Sequence, residues 1–171
     1  SVRNFVDYNN LSFIYSTGLS VSNSSNNTIR YNRIFNVTYA PINVNTLSQY
    51  NSIIGNTVEN NTLRALVINN ASFNTVENNT FRNVELFEVV NFAYNNTVTN
   101  NSLINSNYIG IGLGSNAHNN TIQRNRLYDS PRAPFALNLD TGAADNYYSD
   151  NNLTGFRGFG VYLDNASRNH F

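Results

Sequence analysis

The chain has no cysteine, methionine, tryptophan or lysine among its 171 residues. Without Cys there is no disulfide, no Cys-ligated zinc finger and no thiol nucleophile. Charge is scarce too: ten arginines face ten acidic residues, and the formal net charge is zero. A nucleic-acid binder needs a basic stripe to displace phosphate counterions, so no nucleic-acid partner is expected. No apolar run approaches the roughly 18 residues of a membrane-spanning helix, so no membrane span is expected. No signal peptide is recognisable. The chain opens on Ser1 rather than Met, which leads us to expect a processed or excised piece.

What is present in excess is asparagine, 37 residues. Such a chain can be disordered low complexity, but 22 Phe and Tyr, with many Ile, Val and Leu, imply a packed core. The asparagines also recur in register. Segments beginning at Asn27, Asn51, Asn74, Asn96 and Asn120 read NTIRYNRIFN, NSIIGNTVEN, NTVENNTFRN, NTVTNNSLIN and NTIQRNRLYD. Weaker copies open at Asn4 and Asn146, and an eighth begins at Asn169. Successive starts lie 23, 24, 23, 22, 24, 26 and 23 residues apart. A rival frame pairing NTVENN at Asn56 and Asn74 fits no other copy.

A period of 22–26 residues is too short for common helical-pair repeats and suits leucine-rich or β-solenoid coils. The leucine-rich pattern is missing, and dense Asn, Thr, Ser, Val and Ile disfavour helix. Each repeat shows short apolar alternation broken by Asn and Gly. Its middle supplies a further stretch, at Leu19–Val21, Ile42–Val44, Leu66–Ile68, Ile111–Leu113, Leu137–Leu139 and Val161–Leu163. We therefore expect an all-β, single-stranded parallel β-helix: one domain over 1–171, about seven coils, three short strands per coil.

Stacking at about 4.8 Å turns repeated positions into columns. One asparagine ladder would hold Asn4, Asn27, Asn51, Asn74, Asn96, Asn120, Asn146 and Asn169. A second, five residues on, would hold Asn9, Asn32, Asn56, Asn79, Asn101, Asn125 and Asn151. A side-chain amide both donates and accepts, so stacked copies can bond one another and satisfy backbone groups at the bends. Between the ladders, Val6, Ile29, Ile53, Val76, Val98, Ile122 and Tyr148 should face inward. So should Leu11, Ile34, Val58, Phe81, Leu103, Leu127 and Leu153.

The N-x-[IV]-x-x-N-x-[IL] coil resembles the parallel β-helix repeat of the pectate-lyase-like and NosD-like families, from Asn4 to Phe171. The resemblance, with strand twist, implies a right-handed coil. It leaves function open, because such coils serve polysaccharide lyases and hydrolases, epimerases, tailspikes, adhesins and surface proteins. The family's lyases use clustered calcium ligands and a basic residue; this sequence has no three-acid cluster and no Lys. NosD-like proteins are linked to copper, but His118 and His170 lie more than two coils apart, so no metal site or cofactor is expected. The glycines at Gly110, Gly112 and Gly114 have no helix after them and read as a flat small-residue strand.

The sharpest acidic pair is Asp140 and Asp164, each following the last apolar residue of matching strands (LNLD and VYLD). Stacking would bring the carboxylates roughly 5 Å apart, the spacing of acid and nucleophile in retaining glycosidases. A Ca²⁺ site is a further reading. Arg132 and Arg157 lie upstream at nearly matched offsets, where they would neutralise a uronate or pair with the aspartates. Phe135, Phe156 and Tyr162 would be sugar platforms. The plain reading is that a polar residue follows each strand because a bend begins there.

Twelve N-x-[ST] sequons occur, at Asn10, Asn23, Asn26, Asn36, Asn60, Asn70, Asn78, Asn95, Asn100, Asn119, Asn152 and Asn165. Several sit one residue before a ladder position, where alternation should turn them outward. The repeat itself also generates some of them. Few charges, no Lys and abundant Asn, Ser, Thr and Tyr resemble the composition of surface proteins from acid-loving archaea.

These features favour an extracellular, glycosylated structural protein, not an enzyme. The segments 2–6 and 167–171 match in phase and neither end reads as a cap. Self-association head-to-tail, or continuation into a longer β-helix, is therefore expected. The alternative is a carbohydrate-active or glycan-binding β-helix (hydrolase, lyase or tailspike-like) acting on surface polysaccharide. A third reading is an ice-binding face built on the hydroxyl column Thr28, Ser52, Thr75, Thr97 and Thr121, with no second column beside it.

Overall fold

The computed structural model describes residues 3–61 and 63–171. Two expectations touch other positions: Val2 in the matching ends, and Thr62, the hydroxyl residue of the Asn60 sequon.

The described residues form twenty-one strands, β1 to β21, and no helix. They build three seven-stranded parallel sheets, each taking one strand per coil. The first sheet contains β1 (Phe5–Asp7), β4 (Thr28–Arg30), β7 (Ser52–Ile54), β10 (Thr75–Glu77), β13 (Thr97–Thr99), β16 (Thr121–Gln123) and β19 (Tyr147–Ser149). The second contains β2 (Asn10–Ile14), β5 (Arg33–Val37), β8 (Thr57–Glu59), β11 (Thr80–Arg82), β14 (Ser102–Ile104), β17 (Arg126–Tyr128) and β20 (Asn152–Leu153). The third contains β3 (Thr17–Ser22), β6 (Ala40–Asn45), β9 (Leu66–Asn69), β12 (Phe87–Val90), β15 (Ile109–Leu113), β18 (Phe135–Leu139) and β21 (Phe159–Leu163). This is the expected parallel β-helix. Strand β12 was absent from the stretches singled out in the sequence.

Register follows the sequence columns. Ile29 pairs Ile53, Ile53 pairs Val76, and the line continues through Val98 and Ile122 to Tyr148. These residues and the Ile34, Val58, Phe81, Leu103 and Leu127 column are buried, while Val6, Leu11 and Leu153 pack partly buried in the outermost coils. The third sheet completes the core with inward side chains such as Ile42, Leu66, Phe87, Ile111 and Leu137. Phe81 and Phe87 meet across the interior with ring centroids 5.6 Å apart.

Both ladders are continuous. The Nδ2 of Asn4, Asn27, Asn51, Asn74, Asn96, Asn120 and Asn146 each donates to the Oδ1 of the next rung at 2.8–3.1 Å. The second ladder makes six such steps, from Asn9 to Asn151. From Asn27 to Asn146 in the first ladder, the backbone N–H of each rung reaches the same oxygen at 2.9–3.0 Å. The other amide hydrogen goes to strand-end carbonyls, as from Asn79 to Ile53 and Glu77.

The corners explain why asparagine recurs beside the ladders. From Asn27 on, the residue before each rung of the first ladder turns the chain in the left-handed region, at Asn26, Tyr50, Phe73, Asn95, Asn119, Asp145 and Arg168. On the next corner it is Tyr8, Tyr31, Gly55, Asn78, Asn100, Arg124 and Asp150. Asn, Asp and Gly take that conformation with least strain. Where an aromatic residue occupies it, stacking on the neighbouring coil offsets part of the cost, as for Tyr8 on Tyr31 and Tyr50 on Phe73, both at 5.2 Å. A third, outer asparagine ladder runs from Asn105 to Asn83 to Asn60, each step 2.7 Å.

Candidate functional site

The chemistry-bearing side chains gather on the outer face of the third sheet. Leu139 pairs Leu163, so Asp140 and Asp164 follow in register, and Asp164 N–H donates to the Leu139 carbonyl at 2.8 Å. Their side chains have different roles. The Asp140 carboxylate accepts from the Thr141 N–H at 2.6 Å and the Thr141 hydroxyl at 3.2 Å, which closes its own turn. The Asp164 carboxylate makes no hydrogen bond or ion pair among the described residues.

Arg132 and Arg157 are exposed and pair with neither aspartate, in contrast to the pairing considered from their spacing. Phe156 packs half-buried against the core. Phe135 and Tyr162 do form a surface platform, with ring centroids 4.6 Å apart.

Asp140 also shares a cavity with Glu88, two coils away. Both line a cavity of about 250 Å³ with Tyr108, Gly112 and Asn138. Glu88 pairs Gly112 across β12 and β15, and Gly112 pairs Asn138 across β15 and β18. Gly112 has no side chain, so the cavity floor between Glu88 and Asn138 is open. A second cavity of about 300 Å³ adjoins along the same face and shares Glu88, Val90 and Ser115. It adds Tyr39 and Arg64. Arg64 donates Nε–H to Glu88 and sits over the Tyr39 ring, 5.0 Å from its centroid. The Glu88 hydrogen bond raises the guanidinium above its ordinary value. The sequence signal for this groove is the outward column Val67, Glu88, Gly112, Asn138, legible once β12 is placed.

Elsewhere charges pair between coils: Arg30 with Asp7 at 2.8 Å, Arg33 with Glu59 at 3.2 Å, and Arg168 with Asp145 at 2.7 Å. The Arg168 hydrogen bond lowers the Asp145 carboxyl below its usual value. No group of three or more His, Asp or Glu is placed to hold a metal among the described residues. His118 stacks on Tyr94 at 5.2 Å. On the first sheet, Thr28, Ser52, Thr75, Thr97 and Thr121 are in register as read from the sequence, but Thr28 is buried. A second hydroxyl column exists after all, at Thr57, Thr80 and Ser102, on the second sheet.

All twelve sequon asparagines are exposed. Ten have positive φ, and only Asn10 and Asn152 do not. At Asn26, Asn78, Asn95, Asn100 and Asn119, Asn-Asn-[Ser/Thr] is thus a structural unit of corner, ladder rung and first strand residue.

The ladders are directional. Each rung's Oδ1 receives bonds from the coil before it. At one end the Oδ1 of Asn4 and of Asn9 accepts nothing among the described residues. At the other, the backbone N–H of Asn151 and of Asn169 finds no rung to donate to.

A search of curated protein sequences finds no match. Among solved structures, HetL, a pentapeptide repeat protein involved in heterocyst differentiation regulation from the cyanobacterium Nostoc sp., aligns over 94% of this chain and 87% of its own. The identity is 12% and the TM-score 0.18, too low to carry an argument. Residues 1–101, more than half of the chain, match the family described as the right-handed β-helix region. With three parallel sheets stacked coil on coil, the chain belongs to the right-handed β-helix family.

Proposed function

We propose that the chain is an extracellular structural protein, a glycosylated β-helix rod that associates head-to-tail through the open edges of its outer coils. The observation that carries this reading is the direction of the ladders. Among the described residues the Oδ1 acceptors of Asn4 and Asn9 and the N–H donors of Asn151 and Asn169 are unfilled, so only a coil stacked in the same direction, whether of a second copy or of a longer β-helix, continues the bonding. A head-to-head contact would set acceptor against acceptor. Exposed parallel strand edges favour the same addition, and a contact of this heterologous kind propagates into fibres.

Electron microscopy of the protein from its native source, without refolding, tests the reading. Fibres with an axial repeat near seven coils, roughly 34 Å at the strand spacing, are expected. Separate compact particles would overturn self-assembly.

The groove favours a second reading, a glycan-binding or carbohydrate-active face. Its observation is the cavity over Gly112 that Glu88, Tyr108 and Asp140 line, with Tyr39 in the cavity adjoining it. The test is binding and cleavage of a panel of acidic and neutral polysaccharides. A paired Glu88→Gln and Asp140→Asn variant should lose any such activity while keeping its melting temperature within a few degrees. Undiminished activity in that variant would sink this reading.

A further inference from the structure

Asn-Asn-[Ser/Thr] occurs at Asn26, Asn60, Asn78, Asn95, Asn100 and Asn119. Its two asparagines are chemically distinct in the fold. The second is buried; in the ladder rungs such as Asn79 and Asn101 its amide hydrogens are bonded to carbonyls and to the next rung. The first stands at an exposed left-handed corner. The Nδ2 groups of Asn78, Asn95, Asn100 and Asn119 donate to no protein group among the described residues.

Three pairs of sequon asparagines are also stacked on adjacent coils. Asn95 and Asn119 sit in register before Thr97 and Thr121. Asn78 and Asn100 do so before Thr80 and Ser102, and Asn36 and Asn60 follow the pair Phe35 and Glu59.

We propose that these corners are N-glycan attachment sites and that each stacked pair holds at most one glycan per molecule. The proposal rests on the glycosylated-scaffold reading above and adds an occupancy rule to it. In the reaction, Nδ2 forms a bond to the anomeric carbon of a sugar carried on a lipid phosphate. The bond from that carbon to the carrier oxygen breaks, the phosphate leaves with the electron pair, and a base takes the amide proton.

The rule follows from size. Adjacent coils stand about 4.8 Å apart, less than the width of a pyranose bearing an acetamido group, and both members of a pair leave the same corner in the same conformation. If transfer follows folding, the first glycan shields its neighbour. If transfer precedes folding, a doubly modified chain cannot bring the two corners into register. Either order leaves folded molecules with one.

Trypsin supplies the readout. Cleavage after Arg82 and Arg124 releases residues 83–124, which contain Asn95, Asn100 and Asn119 on one peptide with no internal Arg or Lys. Mass spectrometry of this peptide from the native protein counts co-occupancy directly. Asn95 with Asn100, and Asn100 with Asn119, should occur together at the product of their separate occupancies. Asn95 with Asn119 should fall at least about tenfold below that product, because two bodies wider than about 4.8 Å cannot share one strand spacing. Co-occupancy at the full product would overturn the rule.

In a glycosylating secretory host, Thr121→Val removes the Asn119 sequon without altering the corner, and occupancy of Asn95 should rise. Unchanged Asn95 occupancy, with Asn119 modified in the parent protein, would also overturn the rule. Glycan at no sequon would overturn both this inference and the glycosylated part of the proposed function. The scaffold part is judged separately, by the fibres.

Discussion

Asn74 donates its backbone N–H and its Nδ2 to the single Oδ1 of Asn96, at 3.0 and 3.1 Å, so one oxygen ties two groups of the neighbouring coil. The same amide reaches the Ser48 and Ser72 carbonyls at 3.0 and 2.9 Å. Asn74→Leu keeps the volume but strips the N–H and Nδ2 of Asn51 of their acceptor and two carbonyls of a donor. With each buried unsatisfied group costing about 1–3 kcal/mol, the loss should be about 3 kcal/mol or more. Urea denaturation followed by circular dichroism measures it. A cost under about 1 kcal/mol would mean that water replaces the rung.

Asn74→Asp separates the acceptor role from the donor role. A carboxylate still receives the bonds from Asn51, but faces the Ser48 and Ser72 carbonyls and the Asn96 oxygen with no hydrogen to give. Burial and these oxygens favour the protonated acid, so the folded-state pKa lies above the unfolded value near 3.9. Stability lost at neutral pH should therefore return in part as pH falls toward about 4. Midpoints measured at pH 7 and pH 4 should converge between variant and parent; a constant gap would sink the idea.

The ladders and core columns were legible because every coil repeats the same residue at the same place, and a column of like residues has one sensible orientation. Where coils differ, the sequence says less. Phe87–Val90 does alternate, with Phe87 and Val89 inward and Glu88 outward, yet it is the one middle strand outside the stretches read from the sequence, and Glu88 goes unplaced with it. Register put Asp140 beside Asp164 correctly, but register does not set a side-chain torsion, and Thr141 holds the Asp140 carboxylate in its own turn. The cavity that Glu88 and Asp140 both line runs over Gly112, which carries no side chain. It spans two coils, outside any comparison of nearest neighbours. The repeat already accounted for some of the corner asparagines, and their positive φ values supply the backbone reason.

Gly110 and Gly112 lie two residues apart on β15, yet their substitution should have opposite results. A Cβ on Gly110 would stand 2.4 Å from the Ala136 carbonyl oxygen and 2.5 Å from Leu127 Cδ2, and a backbone oxygen in a ladder cannot yield. The run is therefore more than a flat strand: position 110 admits no side chain. Gly110→Ala should destabilise by about 1–3 kcal/mol. At Gly112 the nearest atom would be Ile109 Cγ2 at 3.7 Å. Gly112→Ala should be neutral or stabilising by up to about 1 kcal/mol through loss of unfolded-state freedom. It also raises the groove floor, so any polysaccharide binding should weaken while thermal stability holds.

Tyr148 ends an otherwise aliphatic column and is 2% exposed, with its hydroxyl buried and unpartnered among the described residues. Its ring stacks on Phe171 with centroids 4.9 Å apart. Tyr148→Phe keeps the stack and removes an unsatisfied hydroxyl, so it should stabilise by about 1 kcal/mol. Burial pushes the folded-state phenol far above its usual value, which predicts a pH effect of definite sign. Below the unfolded value near 10, both states keep the proton and stability is independent of this group. Above it the unfolded chain ionises while the folded chain does not, so the folded state loses up to about 1.4 kcal/mol per pH unit. Denaturation midpoints between pH 8 and pH 11 should fall for the parent protein and fall less for Tyr148→Phe. Parallel slopes in the two proteins would show that the Tyr148 hydroxyl reaches water in the native state.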